Sequence, residues 1–427
     1  MKVIVLGAGV VGVTTAYFLA RSGHEVMVLE KNSASAMGCS YANGGQLSYS
    51  HIEPWASKNS LKTIIKAAFL SPSFLSISDF ANPKFWRWSF DFVKNSKSKV
   101  SQDNARKIFS LTSSSKKILE SLMQEEPDLR CDYKNDGILH FFRTRKTFEI
   151  AVKEAQRNLH LGLEIQILNA EECVKKEPTL AKLKDKNKLA GGIFYPQDAS
   201  GDAALFTQSL EKICREKYGV TFHFETEVKN LFTNYKKITG INTTKGVFVG
   251  DKYIYALGAN SNKLLEGIGL DAKIYPLKGY SLSVKTSAEF LAPQMALTDC
   301  ENKIVYSRIG NIFRVAGTIE ACGNKAQKNQ KHIDFLKIMV RATFSDFGNL
   351  NESSEWFGFR PFRANSIPLI CNVKKYGNLI LNTGHGSLGW SLSAISAKVV
   401  SDLVLEKKAE QFTFLHQEET SLYNNKK

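Results

Sequence analysis

Three glycines and one carboxylate near the start of this chain have the spacing to hold a nucleotide. Gly7-Ala8-Gly9-Val10-Val11-Gly12 follows directly on the β-branched apolar run Lys2–Leu6. Gly7 would make the tight turn out of a strand, Gly9 would let backbone approach a pyrophosphate, and Gly12 would let a helix pack close to the sheet. Val10–Arg21 has helical apolar spacing, Gly23 ends it, and Glu25–Glu30 reads as a second strand. The helix N-terminus offers unpaired N–H groups and a positive dipole to phosphate. Glu30 lies 18 residues after Gly12, where a carboxylate can accept from ribose hydroxyls. A glycine-rich turn without a ligand does not explain Glu30.

The elements around this unit imply more than one core. At 427 residues the chain is expected to form two domains, and 43% hydrophobic with 23% charged residues is the composition of a folded soluble protein. Apolar stretches are short or broken by charge, as Lys62 and Lys66 break Leu61–Leu70, so no transmembrane helix is expected. Val3–Leu6 runs straight into the glycine turn and reads as a strand rather than a leader segment. Seven dispersed cysteines (39, 131, 173, 214, 300, 322 and 371) form no CxxC. That argues against a disulfide framework and against a metal site, and for a reducing compartment: the cytoplasm or the cytoplasmic face of a membrane. The net charge of +16 fits an anionic membrane, nucleic acid, anionic substrates or lysine-rich solvated faces. Runs such as Lys94–Lys99, Lys182–Lys188 and Lys325–Lys331 lack interleaved aromatics, which favours solvated faces and leaves no nucleic-acid partner expected. Hydrolase and kinase readings find no Ser/His/Asp triad, HExxH or Walker loop.

The fingerprint alone does not choose between NAD and FAD. Lys31–Gln46 contains Gly38, Ser40, Asn43, Gly44 and Gly45, a small, polar stretch suited to running along a long cofactor, which points to FAD. Four further stretches carry a resemblance: Asp198-Ala199-Ser200-Gly201-Asp202, Tyr275-Pro276-Leu277-Lys278-Gly279-Tyr280-Ser281, Gly358-Phe359-Arg360-Pro361, and Asn382-Thr383-Gly384-His385-Gly386-Ser387-Leu388-Gly389-Trp390. With Val3–Gly12 and Ser40–Gln46 they resemble the bacterial FAD-dependent D-amino acid dehydrogenases, within the wider group of D-amino acid oxidase and glycine oxidase.

The resemblance implies an α/β fold: a discontinuous Rossmann-like FAD-binding domain (1–54, 190–272 and 352–427) with a second, α+β substrate or cap domain (55–189 and 273–351). It implies cofactor contacts from Val3, Gly7, Gly9, Val10, Val11, Gly12, Glu30, Lys31, Ser40, Asn43, Gly44, Gly45 and Gln46. Further contacts are implied from Val228, at the end of an alternating strand Thr221–Val228, from Gly258, and from the loop Gly384, Gly386, Ser387, Leu388 and Gly389. A helix over Ser391–Leu405 would point its dipole at the ring.

Amino-acid oxidation needs a cation to grip the α-carboxylate, and Arg360 resembles the family's carboxylate arginine. His385 either polarises the ring or orients backbone. Tyr280 either hydrogen-bonds substrate or packs as a strand aromatic. Lys278 carries the same alternative and is more exposed by type, and Tyr49 and His51 are candidate pocket residues. The expected reaction is oxidative deamination of D-amino acids to 2-oxo acids and ammonia, with electrons passed to a quinone or another non-oxygen acceptor of the respiratory chain. Alternatives are an enzyme of glycine, sarcosine or hydroxyproline-type amines and an FAD-dependent RNA-modifying protein. The aromatic stretch Phe69–Phe92 reads either as a peripheral membrane contact on the cytoplasmic face of an inner membrane or as the core of a helical cap. The chain departs from the family after Arg360: Phe362-Arg363-Ala364-Asn365-Ser366-Ile367-Pro368 replaces a Thr-Pro-Asp-Gly-like turn, and Arg363 adds charge there.

Overall fold

Val3–Leu6 and Val26–Leu29 are short, valine-rich apolar runs, buried except for the half-buried Met27. Strands buried on both faces belong in the middle of a parallel sheet covered by helices. The computed structural model has that arrangement; it describes every residue except 59, 60, 62, 63, 65–73, 287–291, 345–349, 408, 409 and 424–427. Residues 69–73 of the aromatic stretch Phe69–Phe92 therefore lie outside the described residues.

Along the chain, β1 (Lys2–Leu6), α1 (Val10–Arg21) and β2 (Glu25–Leu29) form the opening βαβ unit, followed by the short β3 (Gln46–Leu47). Helices α2 (Pro83–Asn95) and α3 (Ser98–Glu125) come next, then β4 (Ile138–Phe142), β5 (Gly191–Tyr195), β6 (Ala199–Ser200), α4 (Ala203–Tyr218), β7 (Thr221–His223) and β8 (Lys252–Tyr255). The second half runs through β9 (Ile274–Lys285), β10 (Ala296–Asp299), β11 (Ile304–Ile309), β12 (Ile312–Ala321), α5 (Gln330–Thr343), β13 (Ser354–Arg363), β14 (Leu369–Val373), β15 (Tyr376–Thr383) and α6 (Ser393–Val404).

Two sheets organise these elements. The first has the order β14-β15-β8-β1-β2-β7, parallel except where β14 meets β15, with α1, α4 and α6 packed together in one apolar cluster. The second is a larger mixed sheet running β13-β9-β12-β11-β10-β4-β5 and on to a strand at Gln166–Leu168; α5 covers one of its faces through Ile333, Leu336 and Val340. The chain therefore contributes to the nucleotide sheet from its start, middle and end. Two strands differ from the boundaries expected at 190 and 352: β5 and β13 fall in stretches assigned to the cofactor domain but hydrogen-bond into the larger sheet. The expected strand Thr221–Val228 also divides. It stops at His223, Glu225 takes a positive φ of 52°, and Val228 starts a separate three-stranded meander. No helix among the described residues is long and apolar enough to cross a membrane.

Candidate active site

The nucleotide end is built by the first turn. Gly7 sits at φ +102°, and a Cβ there would approach the Ala256 carbonyl oxygen to 2.8 Å. A Cβ on Gly12 would lie 1.9 Å from the Gly7 carbonyl oxygen, so only glycine lets α1 start this close to β1. Val3 and Val10 are buried in the packing that fixes the turn, and Val11 packs half-buried against the same core. Glu30 spans back from the end of β2: Oε2 accepts the Ala8 N–H at 2.8 Å, and Oε1 accepts the Asn32 backbone N–H at 3.0 Å. A carboxylate has acceptor positions beyond these, so a ribose hydroxyl remains compatible with it. Lys31, next along, is exposed. Ser40 Oγ accepts the Val10 N–H at 3.1 Å and so ties the next segment to the helix N-terminus.

That segment, Ser40–Gln46, is clamped from the larger sheet. Ser281 Oγ donates to the Ala42 carbonyl (2.7 Å), Arg314 Nη1 to that of Asn43 (3.1 Å) and Ser307 Oγ to that of Gly44 (2.7 Å). The Gly201 N–H donates to the Gly45 carbonyl at 2.9 Å, and Gln46 Nε2 donates to the Leu297 carbonyl at 3.0 Å. Asn43 Oδ1 accepts the Gly45 N–H, and Gly45 turns at φ +65°. A Cβ on Gly44 would strike Val305 Cγ2 at 2.5 Å. The carbonyls are thus spoken for, while the N–H groups of Ala42, Asn43 and Gly44 have no hydrogen-bond partner among the described residues. Successive free N–H groups are an acceptor-binding concavity. Together with the glycine turn, this donor row fits a flavin dinucleotide: the N-terminus of α1 would hold its phosphates, and the free N–H groups would meet acceptor atoms of its ring.

The face of the larger sheet that meets this turn carries Arg360. β9 and β13 pair in unbroken antiparallel register, Leu277 opposite Arg360 and Gly279 opposite Gly358. Side chains alternate along a strand, so Gly279, Ser281 and Arg360 share one face. A Cβ on Gly279 would lie 2.5 Å from Arg360 Cζ, so the guanidinium rests in the space glycine leaves. Arg360 forms no ion pair or hydrogen bond with a described residue. Burial lowers its pKa from the ordinary value, offset in part by the Cys39 thiol, whose Sγ donates to the Phe359 carbonyl at 3.0 Å.

Lys278 and Tyr280 fall on the opposite face. Tyr280 is 1% exposed, stacks on His332 of α5 at 4.8 Å and hydrogen-bonds Glu320. Lys278 is also 1% exposed rather than solvent-facing, and its Nζ meets Glu320 Oε2 at 3.0 Å and the Gln327 carbonyl at 2.8 Å. The strand's alternation therefore turns Tyr280 away from Arg360 and packs it against α5.

His385 is buried with Nε2 2.8 Å from Ser396 Oγ, and burial pushes its pKa down to about 3. It is a neutral imidazole tied to the first turn of α6, which fits the orienting role. Its loop is joined to β13 through Gly386 N–H to the Pro361 carbonyl (3.0 Å), with Gly384 and Gly386 at φ +78° and +57°. Ser387, Leu388 and Gly389 line the outer part of that loop, and a small cleft beside it is lined by His51, Trp55, Phe362, Ser366, His385 and Ser387. Tyr49 is buried just before it. Gly258 turns at φ +56° after β8 with open space where a Cβ would be. Val228 is half-buried at the start of its meander. Arg363 does not add charge to the pocket: it is 4% exposed and bonds Glu418, Ser421 and the Ile367 carbonyl, so the altered turn anchors the C-terminal segment.

No motif in the sequence marks Arg314 or Glu320. They are the two charges in the otherwise apolar or small run Ile312–Ala321, and that setting is the signal that marks them.

Residues 2–403 match the family model described as FAD dependent oxidoreductase. The chain is 35% identical over 405 residues to a D-amino acid dehydrogenase of Paramagnetospirillum magneticum, covering 95% of each chain. It is 33% identical over 406 residues to a D-amino acid dehydrogenase of Vibrio cholerae, again covering 95% of each. The fold is shared with glycine oxidase from Bacillus cereus, with a TM-score of 0.73, 21% identity, and 99% and 98% of the two chains covered. The chain belongs to the FAD-dependent oxidoreductase family.

Proposed function

We propose that the chain oxidises D-amino acids to imines, which hydrolyse to 2-oxo acids and ammonia, and that its electrons go to a membrane quinone rather than to oxygen. The observation that carries the reading is Arg360: an unpaired guanidinium laid over Gly279, on the sheet face that meets Ser40–Gln46. The two relatives named as D-amino acid dehydrogenases support the substrate class. FAD supplies the chemistry of accepting the Cα hydrogen and two electrons. The protein's part is orientation. Arg360 would take the α-carboxylate in two parallel hydrogen bonds, fixing which face of Cα is presented. The neutral imidazole of His385 leaves Arg360 without a competing cation beside the loop.

The acceptor proposal draws on α2. Its inner residues Phe85 and Phe92 are buried, and Trp88 Nε1 donates to the Phe362 carbonyl, two residues from Arg360. Its outer face exposes Trp86 (56%), Phe90 (63%) and Val93 (50%), with Lys94, Lys97 and Lys99 exposed beside them. Aromatic residues ringed by lysine fit an anionic lipid surface. One experiment addresses both parts: anaerobic flavin bleaching by D- and L-amino acids, glycine, sarcosine and hydroxyproline, followed by reoxidation with oxygen or with quinone in phosphatidylglycerol vesicles. The expected outcome is bleaching by D-enantiomers and faster reoxidation by vesicle quinone. Bleaching by glycine or sarcosine alone, or oxygen as the better acceptor, would overturn the reading.

A further inference from the structure

We propose that Arg314 is an electrostatic positioning residue for the flavin, stabilising its reduced, anionic form from behind the turn Ala42–Gly45. The proposal rests on FAD binding at that turn and does not depend on which amine is oxidised.

Besides the half-buried Arg360, three Lys or Arg side chains are buried among the described residues: Lys278, Arg314 and Arg363. Lys278 pairs with Glu320 and Arg363 with Glu418. Arg314, 6% exposed, has no ion pair among the described residues. Its Nη1 donates to the Asn43 carbonyl at 3.1 Å, and its Nε is buried without a hydrogen-bond partner. Asp202 attracts it from a distance, but Asp202 Oδ1 is occupied capping α4 through the Ala204 and Leu205 N–H groups. An unpaired guanidinium in a low-dielectric interior is costly unless something supplies the missing negative charge. Among the described residues, no carboxylate makes direct contact with Arg314, and Asp202 acts only at a distance.

The position of Arg314 says where that charge arises. It shares a sheet face with Ser281 and Ser307: β12 pairs Arg314 with Ser283 of β9 and with Ser307 of β11. All three side chains grip carbonyls of the turn, leaving the N–H groups of Ala42, Asn43 and Gly44 without partners among the described residues. An acceptor on the far side of the turn therefore meets a row of peptide donors, with a whole positive charge behind them. A flavin ring that gains two electrons and one proton goes from neutral to singly negative. The Arg314 charge acts on that difference, favouring the reduced ring over the oxidised one. Addition of sulfite to the oxidised ring also places a negative charge on it and is favoured by the same cation.

The test uses FAD-loaded wild type, Arg314→Met and Arg314→Lys, with FAD content and thermal unfolding recorded for each. Midpoint potential and sulfite affinity are read without any amino acid. Arg314→Met is expected to weaken sulfite binding about tenfold or more and to lower the potential, by about 30 mV for each tenfold loss in the relative stability of the reduced form. Arg314→Lys, which keeps the charge, is expected to retain most of both. Unchanged potential and sulfite affinity in Arg314→Met would overturn the proposal, as would equal losses in Met and Lys, which would assign the residue to shape. A selective loss toward D-aspartate and D-glutamate at constant potential would overturn it in favour of a site for a substrate side-chain carboxylate. Because neither main readout involves substrate, failure of the D-amino acid reading leaves this test standing.

Discussion

On one face of the strand pair β9–β13, Lys278 is buried against Glu320, which is also held by Tyr280 and by Asn329 Nδ2 at 3.0 Å. On the other face, the side of Gly279 and Ser281, Arg360 rests over a glycine, and neither it nor Arg314 of the neighbouring β12 forms an ion pair with a described carboxylate. The two faces are one side-chain layer apart and are built from alternate residues of the same motif. Satisfied charge on the α5 side fixes the strands; unsatisfied charge on the turn side is left for a ligand. A buried ion pair contributes modest net stability, but removing one partner strands the other. An unpaired arginine inside a fold is the feature that calls for an anion from outside.

That contrast yields opposite outcomes for the two sets of residues. Lys278→Met should cost about 3 kcal/mol of stability, the lower end for a broken buried pair, because Glu320 keeps Tyr280 and Asn329. Urea unfolding would measure it, and the double change Lys278→Met with Glu320→Gln should recover part of the loss. The folded fraction should keep its affinity for the amino-acid carboxylate; a loss of that affinity equal to that of an Arg360 variant would erase the distinction between the faces.

A smaller effect sharpens the same point at a carboxylate. Asp198 is fully buried, with Oδ1 accepting the Ser50 N–H at 2.7 Å and Oδ2 without a partner. Burial pushes its pKa from 3.8 up to about 7, against the pull of the Ser50 and Tyr49 peptide groups and Lys116. The folded state then holds a proton that the unfolded chain releases. This contribution to stability is complete below the unfolded pKa of 3.8 and is lost as pH rises through about 7. Asp198→Asn preserves an oxygen for Ser50 and cannot ionise. Its melting temperature relative to wild type should therefore rise between about pH 4 and pH 8. A constant difference across that range would show that ionisation is not involved.

The parts of the site readable from sequence are those whose partners lie nearby in the chain. Gly7, Gly9 and Gly12 act on the turn they occupy, and Glu30 reaches back only to Ala8. Tyr280 and Lys278 could not be assigned to a face from their own motif, because the face is set by the pairing of Gly279 with Gly358 and by Glu320, which come 79 and 41 residues later. The burial of Lys278 follows from Glu320, which sequence spacing does not connect to it. The alternation of Thr221–Val228 predicts a strand that includes Val228; the positive φ at Glu225 breaks it, and Thr226 N–H turns instead to the Glu30 carbonyl at 2.8 Å. Arg363 reads as pocket charge from sequence because its acceptors, Glu418 and Ser421, lie 55 and 58 residues further along.

The most direct measurement compares anaerobic flavin reduction by D-alanine and by D-alanine amide, in wild type and in Arg360→Ala. If Arg360 grips the carboxylate, wild type should prefer the acid over the amide by about a hundredfold or more, matching a charge-paired contact of about 3 kcal/mol. Arg360→Ala should reduce slowly with both and show almost no preference. A variant that keeps the full preference for the carboxylate would contradict the account, because another group would then be holding the substrate.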